Sequence, residues 1–124
     1  MVTEIAPITF GYSHTIGRQE NRSGNGFFYP VAITRDEEGL LYVVSRGSET
    51  PAFFPCKRVT VLTAGEELVR EFGTKVPPDE ANSSAPDGTF MWPTSIALDK
   101  DSIAYVADEW LNRISVFNKN GACT

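Results

Sequence analysis

The sequence predicts an all-β fold built from antiparallel four-stranded units, and three observations predict it. First, one phrase is written twice. Pro30-Val-Ala-Ile-Thr-Arg-Asp-Glu-Glu-Gly-Leu-Leu-Tyr-Val-Val-Ser45 returns 63 residues later as Pro93-Thr-Ser-Ile-Ala-Leu-Asp-Lys-Asp-Ser-Ile-Ala-Tyr-Val-Ala-Asp108, with five of 16 positions identical. A repeat settles architecture early, because one unit cannot bury its own apolar face. Second, eight Phe, four Tyr and two Trp favour strands, while ten Gly and eight Pro punctuate them at short spacing. Third, apolar residues alternate with a period of two, and no helical stripe accompanies them.

The elements follow in order. Residues 1–25 form a leading segment and loop, in which Tyr12-Ser-His-Thr-Ile-Gly17 matches the strand ending Leu68-Val-Arg-Glu-Phe-Gly73 and is expected to be an outer strand. The first unit, residues 26–73, places strands at Val31–Thr34, Leu40–Val44, Val59–Leu62 and Leu68–Phe72. Residues 74–92 are a linking loop. The second unit, residues 93–124, places strands at Ser95–Leu98, Ile103–Ala107 and Ile114–Phe117. Its fourth strand is due where the chain stops, at Thr124. Arg58-Val-Thr-Val-Leu62 matches Arg113-Ile-Ser-Val-Phe117, and the first copy carries eight extra residues in the connection before it. Insertions of this kind map to loops. Pro30 and Pro93 begin the first strand of each unit. Asp36 and Asp99 sit in hairpin turns, where Asp serves the backbone. Tyr42 and Tyr105 are expected in the core. Asp108 and Arg113 stand at the two ends of a short connection and are expected to pair across it. Ser45 offers no charge to Arg58, which must find another acceptor or lie in solvent. Of Trp92 and Trp110, one is expected between units and one on a loop.

Four short antiparallel strands per repeat is the pattern of a β-propeller blade. The run Trp92-Pro-Thr-Ser-Ile-Ala-Leu-Asp99, then Ile103-Ala-Tyr-Val-Ala-Asp108, then Asn112-Arg-Ile-Ser-Val-Phe117 and Gly121, resembles an NHL repeat. The first copy departs from that pattern at Ser45, where the family has Asp, and in its lengthened connection. The resemblance spans about residues 26 to 121 and implies about two blades of a six-bladed propeller. Two blades leave sheet faces and strand edges open. The favoured expectation is that the natural protein runs on through further blades. A second is self-assembly, in which the leading strand completes a neighbour's open unit and three chains close a ring; a third is a monomer whose N-terminal strand folds back locally, or a chain not stably folded alone.

Chemistry is sparse. His14 is the one histidine and cannot build a zinc site with two distant cysteines. Cys56 and Cys123 read as unpaired thiols. The acidic stretches Asp36-Glu37-Glu38 and Asp99 to Asp101 lack the donor order of an EF-hand and read as turns. No Gly-x-Ser-x-Gly elbow occurs, and Gly24-Asn-Gly26 has no helix behind it to make a phosphate cradle. The net charge of −5, with scattered Lys and Arg, argues against a nucleic-acid partner. No stretch reaches the length of a membrane-spanning helix. The N-terminus has no basic region before an apolar core, so no signal peptide is expected and a cytoplasmic location is favoured.

The functional pointer is geometric. The long connections Arg18–Asn25, Gly47–Lys57 and Thr74–Asp87 all join a fourth strand to a first or a second to a third, so all fall on one face. Loops on a rigid scaffold are where binding sites gather. The candidate contact residues there are Arg46, Glu49, Phe53, Phe54 and Trp110. The expected function is a non-catalytic binding or scaffold module for a protein or small ligand, without a cofactor. The alternative is a fragment of a lactonase-like hydrolase or peptide-amidating-lyase-like enzyme, its catalytic residues and any divalent metal belonging to other blades.

Overall fold

A computed structural model of the chain describes residues 6–20, 22–49, 56–77 and 85–124. Among them the fold is all-β, with nine strands and no helix. Strands β1 (Pro30–Arg35), β2 (Leu41–Ser45), β3 (Arg58–Leu62) and β4 (Leu68–Phe72) form one antiparallel sheet in that order. Strands β7 (Pro93–Leu98), β8 (Ala104–Asp108) and β9 (Arg113–Phe117) form a second antiparallel sheet. Between them, β5 (Thr74–Lys75) runs parallel to β6 (Thr89–Phe90).

The repeat in sequence is a repeat in register. Tyr42 faces Val61 and Val44 faces Val59, as Tyr105 faces Val116 and Ala107 faces Ile114. Both first strands carry an irregularity at the same place, between Pro30 and Ala32 and between Pro93 and Ser95. Proline cannot donate to the ladder, so a break in pairing beside it is the expected accommodation. The hairpins match too. The Asp36 Oδ1 accepts from the N–H groups of Glu38 and Leu40, and the Asp99 Oδ1 from those of Asp101 and Ile103. Each carboxylate thus replaces a turn's missing backbone acceptor. Asn118 does the same for Asn120 and Ala122, after which Cys123 bridges back to Phe117.

The core lies between the two sheets. Tyr42, Val44, Val59, Val61 and Phe72 from the first face Ala104, Val106 and Phe117 from the second, with Phe90 closing one side. The rings of Phe72 and Phe117 lie 4.7 Å apart, and those of Phe90 and Phe117 5.7 Å apart. Each fully buried phenylalanine contributes about 1.5–3 kcal/mol. Strand β1 lies against β7, so the first strands of the two units are neighbours.

Two expectations are corrected. The segment Tyr12–Gly17 is not a strand: it has no strand beside it among the described residues, and its Tyr12 is exposed. A strand needs a partner for its N–H and C=O groups. The segment still repeats the first unit's ending, because Gln19 bridges Phe27 in parallel as Lys75 pairs with Phe90. Gly17 and Gly73 both have positive φ, and a Cβ there would overlap the rings of Phe27 and Phe90 respectively. The second correction concerns Tyr105. Tyr42 is 2 % exposed, but Tyr105 is 40 % exposed, because no further sheet covers its face among the described residues. Its hydroxyl donates to Asp99 Oδ2 at 3.1 Å instead.

Candidate functional site

The described residues that flank the long connections lie at one end of the sheets, where β2 and β8 finish and β1, β3, β7 and β9 begin. Backbone bonds tie them together. Arg46 N–H donates to Tyr29 O at 2.9 Å, Gly47 N–H to Phe28 O at 3.0 Å, and Glu109 N–H to Trp92 O at 3.1 Å.

Buried charges organise this end, in a way that differs from the sequence expectation. Asp108 and Arg113 are cross-strand neighbours but their charges are met by backbone dipoles rather than by each other. The Asp108 carboxylate accepts from Met91 N–H at 2.7 Å, Trp92 N–H at 3.1 Å, Trp110 N–H at 3.1 Å and Leu111 N–H at 3.0 Å. The Arg113 guanidinium donates to the carbonyls of Ala85, Pro86 and Thr89 at 2.9, 2.8 and 3.0 Å. Arg58 does the same one unit earlier, to Arg22, Glu20 and Gly26 at 3.0, 3.0 and 2.9 Å. Burial pulls the Arg58 guanidinium pKa down, while Glu71, Glu20 and Cys56 draw it back up. Ser45 holds the position of Asp108 and, among the described residues, accepts from Phe28 N–H, at 3.1 Å.

The start of the second-to-third connection in the first unit is pinned by two lysines. Lys57, whose side chain is buried, donates to Arg46 O at 3.1 Å and to Glu49 Oε1 at 2.8 Å. A lysine is rarely buried without such partners. Lys75 Nζ donates to Ser48 O at 3.3 Å and Glu49 O at 3.2 Å. Gly47 makes the close return feasible: its φ is +70°, and a Cβ would meet Cys56 Sγ at 2.8 Å and Lys57 Cγ at 2.9 Å. Cys56 is buried and Cys123 exposed, and both thiols are free.

On this base sits the aromatic part. The Arg46 guanidinium lies 4.7 Å from the Trp92 ring centroid and 5.5 Å from that of Tyr29, which ties the first unit to the residue just before the second unit's Pro93. Such a cation–π contact contributes about 0.5–2 kcal/mol, depending on desolvation. Glu49, Met91, Trp92 and Trp110 line a cavity of about 140 Å³. Trp110 is 55 % exposed at its mouth.

Three of the sequence candidates, Arg46, Glu49 and Trp110, therefore meet at one place. Phe53 and Phe54 lie outside the described residues. Trp92, Lys57 and Lys75 are contacts that the sequence reasoning missed. Trp92 had a signal: Tyr29-Pro30 and Trp92-Pro93 put an aromatic residue before the same repeat proline. The lysines had none, because their acceptors are mostly backbone carbonyls. No group of three or more His, Cys, Asp or Glu able to hold a metal occurs among the described residues. No helix among them is long and apolar enough to cross a membrane. Two larger cavities, about 380 and 400 Å³, lie over the outer flank of the first sheet, near Ile16 and Phe27.

Comparison with protein-family models finds no family that matches the chain, and comparison with curated proteins finds no matching relative.

Proposed function

We propose that the chain is a pair of NHL-like propeller blades acting as a non-catalytic binding module for a protein partner. The partner inserts one apolar or aromatic side chain between Trp92 and Trp110. The observation that carries this reading is the cavity of about 140 Å³ at the junction of the two units, walled by Trp92, Trp110, Met91 and Glu49. Small-molecule pockets run from about 300 Å³ upward, so this one suits a single side chain better than a whole ligand. Aromatic anchors in such pockets dominate protein–protein binding energies. Support also comes from Lys57 and Lys75, whose bonds to the carbonyls of Arg46, Ser48 and Glu49 lower the ordering cost of those residues on binding. The net charge of −5 favours a protein over a polyanion as partner.

Panning a random displayed-peptide library on the immobilised chain tests the proposal, with a Trp110→Ala chain as the counter-selection. Selected peptides are expected to share an apolar or aromatic anchor and to lose roughly tenfold or more in affinity on Trp110→Ala, the scale of a hot-spot truncation. Peptides that bind both chains equally, or an empty selection, would overturn it.

A further inference from the structure

Each face of one sheet has a counterpart on the other, and the counterparts differ in what covers them. In the second sheet, Ile96, Ala104 and Val106 lie with Phe90 against the first sheet, and form the core with Tyr42, Val44, Val59 and Val61. One repeat earlier, the matching positions are Ile33, Leu41, Val43 and Phe27. These line the cavity of about 400 Å³, together with Ile16, the counterpart of Phe72. Ile33 is 63 % exposed there. On the opposite flank, Tyr105, Ala107, Ile114 and Val116 are the counterparts of Tyr42, Val44, Val59 and Val61. No sheet covers them among the described residues, and Ile114 is 64 % exposed.

The described residues therefore present an open socket at one flank and an open insert at the other, and the interior shows how the two fit. The geometry points to head-to-tail association of this chain with second copies of itself. The Tyr105–Ile114 face of one copy seats in the Ile33–Val43 cavity of the next, repeating the contact that the first sheet makes with the second. The occupant is a second copy because the matched pair of faces already exists within one chain, in the same register. The interface is heterologous, so successive copies either close a ring or extend. The edge of β9 from Arg113 to Ser115 has no neighbouring strand among the described residues. The repeat places the next copy's Thr15 and Ile16 beside it, where β4 puts Glu71 and Phe72 beside Thr60 and Val59.

Sedimentation of the full chain, with Ile33→Asp and Ile114→Asp variants, tests this. Both positions are exposed in the single chain, and circular dichroism checks that each variant folds. The wild-type chain is expected to exceed the monomer mass at about 100 μM, a range where weak contacts register. Each variant alone should be monomeric. An equimolar mixture of the two should form a one-to-one dimer and nothing larger, since each retains the face that the other lacks; this complementation also proves that both are folded. A monomeric wild-type chain, a variant that stays associated alone, or a mixture that stays monomeric would overturn the inference.

Discussion

Replacing Asp108 by serine converts the second unit's connection to the chemistry of the first, where Ser45 stands in the matching position. The Asp108 carboxylate accepts four backbone N–H groups, from Met91, Trp92, Trp110 and Leu111. The Ser45 hydroxyl accepts one. If the introduced hydroxyl keeps the bond to Met91, three N–H groups lose their acceptor. A charge-assisted bond is worth about 1.5–3 kcal/mol, but these groups are only partly buried and water can reach some of them, so about 1 kcal/mol each is appropriate. The expected loss is about 3 kcal/mol in total. For a chain of this size that lowers the midpoint by roughly 12 °C. Thermal unfolding followed by near-ultraviolet circular dichroism reads it, and the amides of Met91 and Trp92 should exchange faster with solvent. Asp108→Asn keeps one acceptor oxygen and should fall about halfway between. A change of under about 1 kcal/mol for Asp108→Ser, with exchange at Met91 and Trp92 unaltered, would mean that the carboxylate does not hold these amides.

Arg113→Lys keeps the charge but cannot serve three carbonyls at once, and should cost about 2 kcal/mol by denaturant unfolding. Gly73→Ala combines a positive φ with overlap on the Phe90 ring, so a loss of about 3 kcal/mol is expected. Gly39→Ala, with a similar φ and open space around it, should cost only about 1 kcal/mol, and equal losses would remove the role given to Phe90. Desolvation tends to raise the Asp99 carboxyl, but the N–H groups of Ile103 and Asp101, the Tyr105 hydroxyl and Lys100 outweigh it and hold its pKa below the ordinary value. A lowered folded pKa contributes stability above the unfolded pKa, lost as pH falls through the folded one. Asp99→Asn should therefore lower stability at neutral pH and converge with the wild-type chain as pH falls below the usual carboxylate range, which flattens the acid limb; an unaltered acid limb would count against it.

The hairpins were legible because Asp at the first turn position and a residue with positive φ at the fourth carry a local mechanism, seen at Asp36 with Gly39 and at Asp99 with Ser102. The strands were legible because alternation has a fixed period, and their bounds moved by a residue or two. The Asp108–Arg113 pair misled for a physical reason. Sequence places the two residues opposite each other, and so does the register, but it does not say where N–H and C=O groups of a distant loop converge. Carboxylate and guanidinium each find several such dipoles, which together outweigh one ion pair at the rim. Tyr105 misled differently: repeats equal in sequence are unequal in surroundings when one of them has an uncovered flank. The two-residue pair β5–β6 left no periodic signal at all, being too short to show one. Of the candidate site, Arg46 and Glu49 were readable from the long connection they begin and Trp110 from the face it shares with them, whereas Lys57 and Lys75 act largely through carbonyl oxygens that no motif marks.

The contact cavity is built where the two units meet, with Arg46 of the first set against Trp92 just before the second. Nuclear Overhauser measurements on isotopically labelled protein test it most directly. Cross-peaks between the Arg46 side chain and the Trp92 indole, whose centroid lies 4.7 Å from the guanidinium carbon, are predicted together with Phe72–Phe117 ring contacts at 4.7 Å. Ring contacts without the Arg46–Trp92 peaks would contradict the site, and the loss of both would contradict the packing of the units on which it rests.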